Sequence, residues 1–473
     1  MSNIEKQKIQ NYSQTKDKCT PNCDKEYYSS ADKIRFNWEL LNNDITVKNG
    51  FEAKFTIENK SEIKLTDTNW KLFFNNTPRL IINHKRLQPG FIQHISGDWF
   101  FMAPEKEFLL KPGDSIDITY QGMGSLIKES DAPSGLYFVF YDGNGNEKEL
   151  VQVSDFTIVP FTKPEQINRN IEDEEPIQKP EFQYSNNLDM VELDSSEHKL
   201  IIPSPISIKS SKGNLTVNNK MNIHYQKELE SEAKFLATKL ESLTGNIFIV
   251  TDKPIKDKAI SLNFGNVKTK EGLAEEAYSL NVSPNGITIT GNESAGVYYG
   301  IQSLLALVPL DAYKKNVKSI KINSVLIIDA PRFAFRSIHV DVCRNFQNKE
   351  TIKRILDILA FYKVNRFLFH ITDDEGWRLE INGLPELTST GGQREHAFSV
   401  ETPVLHPAYG SGPNAYEKGK YGSGFYTRDD FIELLTYAKE RHIKITPEIN
   451  LPGHARAAIK AMEARYIRLI NEG

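Results

Sequence analysis

From residue 331 onward the sequence alternates short apolar runs with amphipathic segments, and that rhythm constrains the fold more than any other feature. SIHVDVC (337–343), RFLFHIT (366–372) and IKITPEI (443–449) read as strands. NKETIKRILDILAFYK (348–363) places Ile352, Ile355, Leu356 and Leu359 on one helical face. TRDDFIELLTYAKERH (427–442) predicts a second helix, with Thr427 as N-cap and Asp430 at the N3 position. LPGHARAAIKAMEARYIRLI begins a third helix. Strands separated by helices of this length imply a parallel sheet, either a barrel or an open sheet, since a parallel return needs a long crossover. Strands of such a sheet are expected to be apolar on both faces.

Functional groups on parallel sheets collect beyond the carboxyl ends of the strands. The first strand is followed by Arg344, Asn345 and Phe346. The second leads into His370, Asp373, Asp374, Glu375, Trp377 and Arg378, within the tract NRFLFHITDDEGWRLEI. The third leads into Glu448, Asn450 and His454. Neighbouring strand ends let these groups meet, although Arg344 and His454 are 110 positions apart. Arg344 offers a rigid fork of donors suited to vicinal hydroxyls or a carboxylate, or to a plain salt bridge. Asp373 and His454 suit a carboxylate–imidazole pair, or helix and turn capping. His370 is either a site residue or a satisfied core histidine, and Trp377 either a stacking wall or packing. The loop from about 382 to 426 is rich in Gly, Pro and Ser. Its length and its place after a strand predict a functional or mobile segment bordering the site.

Upstream, residues 33–160 read as a β-sandwich. FEAKFTIEN, WKLFFNN, SIDITYQ and LYFVFYD alternate, and turn signals such as Lys111-Pro112-Gly113-Asp114 separate them. Trp38, Trp70 and Trp99 fall in this module. They are expected in its core, with sugar stacking as the alternative. Residues 161–199, with the acidic run before Pro176, read as a solvated linker. Residues 200–330 read as a small α/β module. Its helix at 227–243 stops at Gly245, and its hairpin AYSLNVSPNGITITG turns at Asn285-Gly286. Residues 1–32 are polar and expected to be disordered.

Composition narrows the function classes. A net charge of −4 gives no electrostatic case for nucleic acid, whose binders carry basic stripes. No apolar run is long enough to span a membrane, and the N-terminus MSNIEKQKIQNYSQ has no signal-peptide core. Three cysteines exclude a disulfide framework. Cys19 and Cys23 could pair or bind metal, but no second pair completes a zinc site; Cys343 reads as a buried small residue. No cofactor or metal is expected.

FHITDDEGWRLEI, AFRSIHVDVCRNF, ITPEINLPGHARAAI and AYSLNVSPNGITITG…AGVYYGIQSLLAL together resemble glycoside hydrolase family 20, the β-N-acetylhexosaminidases, most closely its bacterial members. The resemblance covers most of 33–473. It implies a multidomain chain: a β-sandwich of carbohydrate-binding type, a small α/β domain, and from 331 the first part of a (β/α)8 TIM barrel. It implies an exo-acting retaining glycosidase that removes terminal β-linked N-acetylglucosamine or N-acetylgalactosamine, with the substrate's own acetamido oxygen as nucleophile. It assigns substrate contacts to Arg344, and, at the rim, to Asp374, Trp377 and Glu448. Asp373 and His454 become the pair supporting the general acid. Asn450 stands where the family commonly has aspartate. The Asp-Glu dyad of the family does not follow residue 454. A whole barrel needs roughly 250 residues, so residues 331–473 are expected to supply three of eight strands and to be inactive alone. The alternative is a glycan-binding module without hydrolase activity. The resemblance also implies a periplasmic, cell-surface or secreted location and a carbohydrate partner.

Overall fold

The computed structural model describes residues 30–472 except 44–49, 78–79, 83–87, 170–171, 176–179 and 195–200. The expected disordered segment, with Cys19 and Cys23, lies outside the described residues as far as 29. From Ser30 the chain is placed: Ser30–Lys33 forms a 3-10 turn with Ala31 buried. The chain divides into two compact units. One comprises Met1–Asp189, Ser389–Ser423 and Arg456–Gly473; the other comprises Met190–Thr388 and Gly424–Ala455.

In the first unit two five-stranded sheets form a sandwich. One carries Phe156–Ile158, Ile34–Asn42, Gly50–Asn59, Ser115–Met123 and Ile81–Ile82 in that order. The other carries Glu147–Gln152, Ser134–Tyr141, Trp70–Asn75, Trp99–Pro104 and Gly90–Ser96. Alternation does the sorting: in Ile34–Asn42 the side chains of Ile34, Phe36, Trp38 and Leu40 are buried and those between them are not. Each large apolar side chain removed from water contributes roughly 1.5–3 kcal/mol. Trp38, Trp70 and Trp99 are all buried, and the Trp38 indole donates to Tyr120 Oη at 2.8 Å. The core expectation for the tryptophans holds.

Two expectations do not. The segment expected to be a solvated linker starts out packed on the sandwich: Phe161 is buried against Trp38, and the buried Gln166 donates to the carbonyl of Leu40 at 2.5 Å. The loop expected to border the site has its middle, Ser389–Ser423, grouped with the sandwich. Asn75 Nδ2 donates to Pro407 O at 3.0 Å and Asn75 Oδ1 accepts from Gly410 N at 2.9 Å. Asp98 accepts from Tyr409 N at 2.8 Å. Backbone meets backbone here: a Cβ on Gly135, which has φ +63, would lie 2.6 Å from the Cα of Gly410. Buried amide and carboxylate groups of the sandwich that take partners from this loop fix it in place.

In the second unit a seven-stranded sheet holds Ser207–Val217, Ile320–Asp329, Tyr278–Ser283, Gly286–Gly291, Ala259–Phe264, Asn222–Tyr225 and Val250–Thr251, in that order. The helices Glu230–Thr244 and Ser294–Ala306 pack in the same core. Gly245 closes the first in the left-handed conformation, φ 67. The hairpin turns one residue earlier than its Asn-Gly signal predicts, because Ser283 pairs with Gly286 and leaves Pro284 and Asn285 as the loop.

The same unit contains the βα rhythm. Three parallel strands, β1 (Ser337–Asp341), β2 (Arg366–His370) and β3 (Lys444–Glu448), lie in the order β1-β2-β3. Asp341 registers with His370, and His370 with Glu448. The crossovers contain α1 (Lys349–Phe361) and α2 (Arg428–Lys439). Thr427 caps α2 as expected, its Oγ1 accepting from Asp430 N while Asp430 accepts from Thr427 N, both at 3.1 Å. The expectation of apolar strands buried on both faces fails. Phe367 and Phe369 enter the core, whereas Arg366, Leu368 and His370 share the other face with Asp341 and Glu448.

Candidate active site

The polar groups after all three strands converge on one carboxylate. β2 ends in the short hairpin Thr372–Asp373/Gly376–Trp377, which turns the chain back and buries Asp373 to 1% exposure. Its Oδ1 receives Arg344 Nη2 at 2.8 Å, His454 Nδ1 at 3.1 Å and the backbone N of Asp374 at 2.6 Å. Its Oδ2 lies 2.8 Å from His370 Nε2 and accepts from Asn450 Nδ2 at 3.1 Å. A buried charge survives only with such donors. His454 reaches it from a left-handed turn, φ 53, and remains largely exposed.

Arg344 is held by three acids. Nη1 meets Asp341 Oδ2 at 2.8 Å, Nη2 meets Asp373 and Nε meets Glu375 Oε2 at 3.0 Å. Burial alone would make its cation easier to discharge, but Asp341, Asp373 and Glu375 outweigh that and hold its pKa above the ordinary arginine value. Asp341 accepts further from the backbone N of Cys343 and Arg344. Burial pushes the Asp341 carboxyl up, yet these bonds and Arg344 bring it below the usual carboxylate range. The guanidinium is therefore a fixed fork, still about a quarter exposed. Cys343 is buried, as expected, and burial pushes its thiol up.

The remaining candidates separate. Asp374 lies on the rim, its Oδ2 3.4 Å from His454 Nδ1. Glu448, a third exposed, has Oε1 3.0 Å from His370 Nδ1 and Oε2 3.3 Å from His339 Nε2. Trp377 is only 8% exposed and its indole donates to Leu379 O at 2.6 Å, geometry that favours packing over a stacking wall. Sequence reasoning passed over Asp341 and His339, although their spacing of two in SIHVDVC puts them on one face of β1. It also gave no role to Arg378. That side chain is fully buried and donates to the carbonyls of Val342, Cys343 and Gly424 at 3.0, 2.6 and 3.0 Å, and so ties the loop after β1 to the second hairpin strand.

Comparison with known proteins accounts for the three modules. The profile described as "Glycosyl hydrolase family 20, catalytic domain" matches residues 333–472, and "Glycosyl hydrolase family 20, domain 2" matches 198–330. A third, "Putative carbohydrate binding domain", matches 38–181. The chain belongs to glycosyl hydrolase family 20. It is 32% identical over 437 residues to a beta-hexosaminidase of Vibrio vulnificus, covering 89% of this chain and 48% of that protein. It is 31% identical over 427 residues to N,N'-diacetylchitobiase of Vibrio harveyi, covering 89% and 46%. The chain thus spans about half the length of the curated relatives it matches. Among solved structures, the family 20 exo-β-N-acetylglucosaminidase of Vibrio harveyi in complex with N-acetylglucosamine matches with TM-score 0.71 and 26% identity. That match covers 91% of this chain and 59% of that one. The chain accordingly has a multidomain family 20 architecture, with a carbohydrate-binding-type module, domain 2 and catalytic-domain residues. Among the described residues no helix is long and apolar enough to cross a membrane.

Proposed function

We propose that these residues form the sugar-gripping part of an exo-β-N-acetylhexosaminidase acting on terminal β-linked N-acetylglucosamine or N-acetylgalactosamine. The observation that carries the reading is the Arg344–Asp373–His454 constellation, in which one buried carboxylate fixes both a cationic fork and an exposed imidazole. Arg344 presents donors to the ring hydroxyls, and its three acidic partners hold it in one orientation before the sugar arrives, which lowers the ordering cost of binding. Asp373 positions His454 and fixes its tautomer, and His454 in turn supports the general acid. The attacking group is the substrate's acetamido oxygen, so no second carboxylate nucleophile is required. No Asp-Glu pair lies between His454 and Gly473. The 473-residue chain by itself is therefore proposed to bind the sugar without cleaving it. Glycan recognition by the sandwich alone has less support, because its three tryptophans are buried and offer no stacking face.

The test pairs two measurements on the 473-residue chain. Saturation-transfer NMR with N-acetylglucosamine should show binding that Arg344→Met weakens at least tenfold, in line with about 1.5–3 kcal/mol for hydrogen bonds to a charged group. Release of nitrophenol from a nitrophenyl N-acetylglucosaminide should stay at background. Turnover by the chain alone would overturn the division of labour; binding unaffected by Arg344→Met would overturn the grip.

A further inference from the structure

The polar face of the three-stranded sheet carries a second cluster, whose two histidines, His339 and His370, have no part in the glycosidase reading. His370 on β2 registers with Glu448 on β3 and with Asp341 on β1, and His339 precedes Asp341 by two residues, so all four side chains share one face. Within it His370 Nδ1 lies 3.0 Å from Glu448 Oε1, and His339 Nε2 lies 3.3 Å from Glu448 Oε2. One ligand atom each from His339, His370 and Glu448 can be chosen with all three within 4.8 Å of one another.

His370 is the telling member. It is 5% exposed, and its two ring nitrogens are treated differently. Nε2 sits 2.8 Å from Asp373 Oδ2, with Arg344 Nη1 at 3.3 Å and Asn450 Nδ2 at 3.5 Å. Nδ1 faces Glu448 Oε1 at 3.0 Å but outside hydrogen-bond geometry. A buried ring nitrogen and a carboxylate oxygen this close without a well-aligned hydrogen bond call for an explanation. In the tautomer whose Nε2–H donates to Asp373, the lone pair of Nδ1 points toward Glu448 and His339. Metal-binding histidines are oriented in this way.

We infer that His339 Nε2, His370 Nδ1 and the Glu448 carboxylate form a site for a borderline divalent cation of the zinc type, with Asp373 orienting His370 from behind. Two imidazoles and one carboxylate suit zinc better than calcium or magnesium, which prefer all-oxygen sets. Bonds of about 2.0–2.2 Å at tetrahedral angles put ligand atoms about 3.3–3.6 Å apart. The 3.0 and 3.3 Å separations approach that spacing, so small side-chain rotations complete the set. Three protein ligands leave a position for water. The inference does not depend on the glycosidase reading, since nothing in that chemistry calls for a metal.

The experiment is calorimetric titration of zinc chloride into the untagged 473-residue chain carrying Cys19→Ser and Cys23→Ser, which removes the N-terminal thiols as competitors. One equivalent should bind, and His339→Gln should weaken it at least tenfold. His339 is half exposed, so its replacement leaves the fold intact. His454→Gln should leave the affinity unchanged, which separates this site from the neighbouring group Asp373, Asp374 and His454. Cobalt(II) in place of zinc should give visible absorption that His339→Gln abolishes. No binding at millimolar zinc, wild-type affinity in His339→Gln, or loss confined to His454→Gln would each overturn the assignment.

Discussion

Acid should loosen the grip between the long loop and the sandwich, and His406 is the reason. This imidazole is 7% exposed and stacks on Trp99 at 5.1 Å with 9° between the rings. Its Nδ1 lies 2.9 Å from Pro407 O, and Arg456 Nη1 lies 2.7 Å from its Nε2. An arginine can only donate, so Nε2 accepts, Nδ1–H donates, and the ring is neutral. A second proton would sit between the ring and a guanidinium. Burial first, then the positive charges of Arg456, Arg394 and Lys460, lower its pKa to about 4, against the opposing pull of the Pro407 carbonyl. The unfolded chain takes up this proton near pH 6.5. Between those values the unfolded state binds more protons, so stability is fully present above about pH 6.5 and falls as the pH drops toward 4. Linkage over that window gives a loss of about 2 kcal/mol between pH 7.5 and 5. For a cooperative unit of about 150–250 residues this is roughly 4–8 °C in Tm.

Three of the four tryptophans lie in the sandwich, so thermal melts followed by tryptophan emission report on this unit. His406→Gln keeps an acceptor for Arg456 and cannot titrate. The variant's stability should therefore fall by about 2 kcal/mol less than the wild type's across the same pH range. Parallel losses in the two proteins would refute the reasoning, because the proton uptake would then belong to other groups.

Gly376→Ala should destabilise the second unit by about 2–4 kcal/mol. The new Cβ would lie 2.5 Å from Cζ of Arg378, whose bonds to three carbonyls leave it nowhere to go. Gly143→Ala, which meets nothing within 4 Å, is the control, and equal denaturation midpoints for the two variants would contradict the account. Thr427→Ala should lose about 1 kcal/mol through the α2 cap, with Thr427→Ser retaining most of it in the same urea titrations.

How much of this was legible in the sequence depended on the range of the interaction that decides each feature. The strands and helices after 331 were legible because periodicity is local, and so was the capping box of Thr427 and Asp430. The convergence of Arg344, Asp373 and His454 followed from strand order alone. The docking of the long loop was not legible: Asn75 and Pro407 are 332 positions apart, and neither carries a local signal for the other. Gln166 hid for the same reason, a polar residue in a polar stretch whose amide happens to satisfy the carbonyl of Leu40. Trp377 looked like a rim aromatic because it follows acids, but the two-residue hairpin folds it under.

The deepest misreading concerned the strands themselves, and it bears on the site. RFLFH reads as one apolar run, yet its alternate residues divide between a core face with Phe367 and Phe369 and a polar face with Arg366 and His370. A parallel sheet can afford a polar face only where something satisfies it. Here one arginine serves Asp341, Asp373 and Glu375, which leaves an excess of negative charge. Backbone N–H groups of Cys343, Arg344 and Asp374 supply part of the balance, and Asn450 adds a neutral donor at 3.1 Å. Aspartate at 450, the commoner residue by family resemblance, would place another carboxylate against Asp373 and need a further proton or cation there. Asparagine at this position therefore fits the cluster as it stands: it donates to Asp373 without bringing a charge that would have to be balanced.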